Sequence, residues 1–315
     1  MKQTKKLGRG LEDFSHLFLS SPSQKPKSSD EKVKDDTDRE KSLPVPARTL
    51  CITSDKGVHE RSFVALQLAL EISRKGKNIV LFDADFSLPR LGMLLDDSIQ
   101  QSSLTHLIEN NGIETPPLHD YKGITLITVD ADISTYHSLS SHERNVLEKN
   151  FYAIEKNADV ILVIVSPEMT DLMRTFLNVI SEIMVVVPQP VAEMINAYGV
   201  IKAIFNLSGN ARVGVLVSRV APPSQAETVF SKMQQVVDKF LHKSLSSYRY
   251  LSGNTEASLL LGQRKFSIED SAWANQVPPS IACIAASLFE IDEKQNHGEV
   301  QTPPVSFTDR LFNKV

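Results

Sequence analysis

The chain has 315 residues, 41% hydrophobic and 23% charged, which is enough apolar material for one large globular domain or two small ones. Its formal net charge of -4 speaks against a dedicated nucleic-acid binder. Two cysteines, Cys51 and Cys283, exclude a disulfide scaffold and a cysteine-ligated zinc site, and they fit a reducing cytosol.

No apolar run approaches the ~18–20 residues of a membrane span, and no apolar stretch of signal-peptide type follows the charged N-terminus, so the expected location is cytoplasmic. Residues 5–19 place Leu11, Phe14, Leu17 and Phe18 at helical spacing as one apolar stripe. This is either a tail that folds onto its own domain or a tethered recognition helix for a partner. Residues 20–47 are Ser, Pro, Lys and Asp with almost nothing to bury, which predicts a disordered linker.

From residue 49 the pattern changes. Apolar, β-rich runs at 49–54, 78–82, 124–129, 161–165, 183–187 and 213–217 read as strands. Helical spacing predicts helices over 62–75, 142–156, 171–181, 192–206, 225–241 and 279–291. Continuous apolar strands alternating with amphipathic helices predict an α/β fold, a doubly wound and mostly parallel sheet covered on both faces. The chain then divides into a tail over 1–48, a domain over 49–291, and a linker with an amphipathic end over 292–315.

Ligands of open α/β sheets bind at the carboxyl ends of the strands. The loop after the first strand belongs to the run CITSDKGVHERS over 51–62, and the second strand ends with Asp83 and Asp85. Two carboxylates at that edge can position a metal-bound water or take its proton, or they can merely cap the turn.

These residues resemble the MinD/ParA group of deviant Walker A ATPases, and are most similar to its MinD and FlhG branch. The group shows a strand, then (S)GKGGVGK(S/T), a helix, and a strand ending in DAD or DFD. Residues 52–62 fall on that pattern without a gap, and 76–95 (GKNIVLFDADFSLPRLGMLL) continue it. Residues 159–203, 213–220 and 250–266 extend the match in the right order. The resemblance implies a P-loop NTPase-like fold with ATP and Mg as cofactors. It puts Lys56 at the signature-lysine position, Arg61 at the Walker A lysine position and Ser62 at the magnesium-ligand position. It implies that Asp85, with Lys56, serves catalysis. Lys56, Gly57, Arg61, Ser62 and Asp83 would hold the nucleotide, Ser62 and Asp83 the metal. Ser218 and Arg219 stand on the Asn-Arg pair near the adenine.

The departures fall on chemistry. The chain is poor in glycine, 13 in all, and three family glycines are replaced by Asp55, Val58 and Glu60. Phosphate loops need glycine where φ is positive and backbone N–H groups approach the phosphates. A carboxylate about 4 Å from a phosphate charge costs about 4 kcal/mol at an effective dielectric near 20. The family's D-T-P-A-G becomes VSPEM over 165–169, removing the Walker B aspartate, with Glu168 three residues along the only nearby carboxylate. The expectation is a MinD/FlhG-like spatial regulator that is a pseudo-ATPase. The alternatives are a functioning ATPase switch and a relative of the polysaccharide-export autokinases, whose tyrosine-rich C-terminal tail is absent.

The last eleven residues resemble the C-terminal membrane-targeting helix of the MinD branch. Phe307, Leu311, Phe312 and Val315 share a face, with Arg310 and Lys314 towards its edge. So short a helix binds lipid weakly, and a homodimer would double it. The reading is peripheral association with the inner membrane face; docking on the chain's own domain or on a protein partner is the alternative. The N-terminal LGRGLEDF resembles the start of ParB proteins, which implies protein partners of the ParA/MinD or ParB type.

Overall fold

The computed structural model describes residues 46–56, 58, 60–86, 91, 95, 103–109, 120–129, 138–166, 171–189, 191–208, 211–220, 222–252, 279–295 and 306–312. The sheet has eight strands: β1 (Arg48–Ser54), β2 (Ile79–Ala84), β3 (Asp120–Tyr121), β4 (Ile124–Thr128), β5 (Val160–Val165), β6 (Glu182–Pro188), β7 (Arg212–Val220) and β8 (Ser246–Ser252). They lie in the order β3-β4-β2-β5-β1-β6-β7-β8. All neighbours are parallel except the antiparallel β3–β4 pair at one edge. The helices are α1 (Glu60–Arg74), α2 (Leu104–Glu109), α3 (Ser141–Lys156), α4 (Asp171–Val179), α5 (Val191–Leu207), α6 (Pro223–Leu241), α7 (Pro279–Gln295) and α8 (Phe307–Leu311). None of the described helices is long and apolar enough to cross a membrane.

Period-two alternation explains the continuous apolar runs. In β5 Ile161, Val163 and Val165 point into one core, while Val160, Leu162 and Ile164 point into the other. With both faces covered, neither set can be polar. One core packs under α1 and α7, through residues such as Phe63, Leu66, Ile281 and Leu288. The other packs under α2 to α6 and α8, through Phe151, Leu177, Ile201, Val237 and Phe307.

One of the scarce glycines makes room for a neighbouring side chain. A Cβ on Gly214 of β7 would run into the Tyr248 ring of β8. That ring lets the Tyr248 hydroxyl donate to Glu182 at 2.7 Å, and Glu182 also pairs with Arg48 at 2.8 Å. Three strands are thereby tied by one buried polar cluster.

β1 lies at the sheet's switch point. The chain moves from β1 towards β2 and β4, returns to insert β5, and then builds β6 to β8 on the other side. The loop from β1 into α1 therefore opens at the carboxyl edge, next to the end of β2, where ligands of such sheets bind.

Two strands and one helix escape the sequence pattern. β3 is two residues long, α2 six, and β8 reads SSYRYLS, whose polar residues hide its alternation. α7 continues to Gln295, past the expected end at 291.

Candidate functional site

α1 begins directly after the loop, and nearly the whole helix is buried, including its polar first turn. Glu60 is 6% exposed, Arg61 5% and Ser62 fully buried; Asp83 and Asp85 across from them are equally enclosed. Burying so many ionisable groups is tolerable only if they are paired.

Arg61 turns back into the loop rather than outward. Its Nη2 is ion-paired with Asp85. Its Nη1 donates to the Val58 carbonyl at 2.9 Å and to Ser54 Oγ at 3.3 Å. Ser54 Oγ in turn donates to the Val58 carbonyl at 3.0 Å. The guanidinium fork, with more than one direction of N–H, satisfies a carboxylate and a carbonyl at once, which a lysine ammonium does less rigidly.

Glu60 is held from the opposite side. Arg219 Nε donates to Glu60 Oε1 and its Nη1 to Glu193 Oε1 at 3.3 Å. The hydrogen bond to Glu60 raises the Arg219 pKa above its usual value, against partial desolvation. Arg219 has φ +60°, and the β7–β8 register shifts between Val217 and Val220 around it. This irregularity is what lets an arginine near the end of β7 reach the start of α1.

Asp83 has a structural engagement. Its Oδ2 accepts the Leu91 N–H at 3.0 Å and its Oδ1 the Asp85 N–H at 3.2 Å. Burial pushes its pKa up to about 6, partly opposed by those two hydrogen bonds. The turn-capping reading of this residue is thus visible in the geometry.

The backbone of the loop differs from the strained cradle that the glycine positions suggest. Positive φ among the described non-glycine residues falls on Lys122, Arg219, His242 and Arg249. Asp55, Val58 and Glu60 are not among them. Val58 packs its side chain into the α1 core at 3% exposure instead of resisting a left-handed turn.

Of the residues expected at the nucleotide site, Arg61 meets Asp85, Asp83 bonds the Asp85 N–H, Ser62 is buried next to Arg61 in sequence, and Lys56 lies on the same loop with an exposed side chain. Ser218 is buried near the end of β7 beside Arg219. Gly57 and Glu168 lie outside the described residues. Glu193, on α5, was missed: nothing in its sequence context marks it, because its role depends on Arg219 reaching across from β7.

The donor set does not fit a magnesium triphosphate in this arrangement. Arg61 already spends its charge on Asp85, and the Glu60 carboxylate closes the start of α1. One observation points the other way: Ser62 Oγ and Ser218 Oγ are buried and without a hydrogen-bond partner.

The C-terminal segment forms a second, separate constellation. Glu155, near the end of α3, accepts hydrogen bonds from Phe307 N at 2.6 Å, Thr308 N at 2.8 Å and Thr308 Oγ1 at 2.6 Å. A carboxylate receiving the first N–H groups of a helix is the favoured arrangement for such an end. Phe307, Leu311 and Phe312 are buried, the Phe312 ring lying 6.0 Å from that of Phe151. Arg310 donates to the Val179 carbonyl at 3.2 Å, and Tyr152 bonds Asp309. The apolar face expected to meet a membrane is packed on α3 and α4, so here the segment is docked rather than free. Lys314 and Val315 lie outside the described residues.

No protein-family profile matches the chain. In sequence it is similar to the antiactivator FleN of Pseudomonas aeruginosa, 25% identical over 201 residues, covering 64% of this chain and 71% of that one. In structure it is similar to a ParA family ATPase from Chlorobium tepidum, with a TM-score of 0.58 and 15% identity, covering 77% and 98% of the two chains. It is also similar to a chain of the MinC:MinD cell division protein complex of Aquifex aeolicus, with a TM-score of 0.56 and 16% identity, covering 82% and 100%.

Proposed function

We infer, for a chain that belongs to the MinD/ParA/FlhG group and carries its fold, a spatial regulator of the FleN and MinD kind that no longer turns over ATP. The observation that carries this reading is the Arg61–Asp85 ion pair inside the former phosphate loop. The residue at the Walker A lysine position is neutralised by the very carboxylate that the family uses near its attacking water. Glu60, paired with Arg219, seals the adjoining position. Any phosphate entering must displace one buried and one half-buried ion pair and then sit beside their freed carboxylates, a double electrostatic loss.

Protein partners and membrane association would then carry the function. FleN is an antiactivator, and the Aquifex MinD was solved in complex with MinC; both support a regulator that acts by binding proteins. The N-terminal ParB-like segment and homodimer formation are the proposed routes to such partners. Membrane association would use Phe307, Arg310, Leu311, Phe312 and Lys314, and it requires the segment to leave Glu155. The process served, whether division-site choice, flagellar number, partitioning or polysaccharide export, would be selected by the partner.

Equilibrium dialysis of the full chain with labelled ATP and magnesium, followed by a phosphate-release assay, tests the central reading. The expected result is no saturable binding below millimolar concentration and no turnover. Micromolar binding with hydrolysis overturns it in favour of an active switch. The unpartnered hydroxyls of Ser62 and Ser218 favour that second reading, since a magnesium ion and a nucleotide base would satisfy them.

A further inference from the structure

We propose that the outer face of α6 is a second contact for an anionic lipid surface, centred on Phe240; the proposal builds on the membrane reading of the C-terminal segment. Phe240 is 62% exposed and Val236 37%, the two large apolar side chains that this helix leaves to solvent. Val236 and Phe240 stand one helical turn apart, so the two form a contiguous apolar patch rather than scattered exposed side chains.

Its surroundings are cationic. Lys239 Nζ lies 5.5 Å from the centroid of the Phe240 ring, and Lys243 Nζ lies 5.9 Å from that of Phe205 on α5. Lys232, Val236 and Lys239 follow one another at intervals of four and three along the helix, Lys243 lies just past its end at Leu241, and all are exposed. Asp238 is the one carboxylate in the last two turns of α6. A positive, aromatic patch on a chain of net charge -4 selects a negatively charged partner.

Shape decides which kind. The ring projects from a convex helix face, whereas recognition of a peptide helix uses a groove that receives the partner's apolar residues. A lipid surface accepts a protruding ring, while lysines keep their ammonium groups at the headgroups. A second copy of the chain is disfavoured, since it would bring lysines against lysines.

Topology adds a second argument. Helices that follow parallel strands run back to the sheet's amino-terminal edge, so α6 ends there, just before β8. α8 is bound at Glu155 and Val179, near the ends of α3 and α4, which reach the same edge. The docking place of the C-terminal segment and the Phe240 patch therefore lie at the same edge of the sheet, opposite its carboxyl end. Two weak contacts on one chain reinforce each other.

Co-sedimentation with phosphatidylglycerol–phosphatidylcholine vesicles, with pure phosphatidylcholine as control, tests the proposal. The proteins are the full chain, the chain ending at Pro304, and both with V236S/F240S or K239E/K243E. All four substituted side chains are exposed, so thermal melts should match the parents. Near an anionic surface each lysine is worth about fivefold in affinity, so K239E/K243E should lose more than tenfold, in the full and the shortened chain alike. V236S/F240S should lose several-fold in both. If shortening abolishes pelleting and the patch variants change nothing, the tail reading stands and this proposal falls. If the patch variants weaken pelleting and shortening does not, the proposal stands and the tail reading falls. No pelleting of the full parent chain overturns both. Unchanged pelleting together with lost capture of a poly-glutamate peptide would assign the patch to an acidic protein and overturn the lipid reading.

Discussion

Arg61 and Asp85 face each other in a buried setting, and the energetics of such a pair are asymmetric. Replacing both by apolar groups of similar volume can be nearly neutral, but removing one strands the other. Arg61→Ala and Asp85→Ala should each destabilise the domain by about 3–5 kcal/mol. The double variant should lose much less than their sum, because the second change removes a charge that the first left unpaired. Urea unfolding of the four proteins measures the coupling; additive losses would mean that the two groups do not act as a pair. Asp83 predicts a pH dependence of definite sign. Its folded pKa, about 6, lies above the ordinary aspartate value, so the folded state holds this proton more tightly than the unfolded chain does. Its contribution is fully present below the unfolded pKa near 4 and is lost as pH rises through 6. The stability of the parent relative to Asp83→Asn should therefore fall between pH 4 and pH 7, by up to about 3 kcal/mol. A difference that is flat with pH removes burial as the dominant influence on this group.

At the level of elements, the short α8 owes its position to packing and to a single carboxylate. A five-residue helix has no stability of its own. Burial of Phe307, Leu311 and Phe312 supplies the attraction, and Glu155 satisfies the N–H groups that would otherwise be orphaned. Glu155→Ala should therefore loosen the segment while leaving the sheet intact. Hydrogen exchange of amides 307–312 should accelerate by at least tenfold, a difference of about 1.4 kcal/mol. Unchanged exchange would show that the aromatic contacts suffice. The same contrast marks what was legible in the sequence. Strands with two buried faces announce themselves as apolar runs, and β1, β2, β4, β5, β6 and β7 were all readable to within a few residues. β8 was not, because Ser247 and Arg249 are exposed and Ser246 half-buried, which leaves polar residues in the strand. The order of motif positions around β1 and β2 could also be read along the chain. The pairings that seal the site could not: Arg61 meets a residue 24 positions away and Arg219 one 159 positions away. No local pattern encodes which of several charged residues will meet.

Across the whole molecule, the two ends of the sheet have separate chemistries. The carboxyl end, where this fold binds ligands, is closed by Arg61–Asp85 and Glu60–Arg219; the amino-terminal end carries the docked α8 and the exposed Phe240. If the closed end no longer senses a nucleotide, release of α8 must be governed by what binds elsewhere. That division of labour makes a restoration experiment decisive. Val58→Gly, Glu60→Gly and Arg61→Lys together return the loop to the pattern of the family it resembles at three positions, remove the Glu60–Arg219 pair and replace the guanidinium fork at Asp85 by a less rigid ammonium. The variant should be less stable than its parent, because Arg219 loses Glu60 and Asp85 loses the fixed fork of the guanidinium. ATP with magnesium should bind it at least tenfold more tightly than the parent and should raise its melting temperature, by linkage to the folded state. Phosphate release should stay absent, since Val165 still stands where the family that the sequence resembles carries its Walker B aspartate. Dialysis and melting curves with and without ATP measure the gain. If the triple variant folds and binds no better than its parent, the lost glycines and Arg61 are not what closes the site, and the barrier lies in the segments that follow β2 and β5.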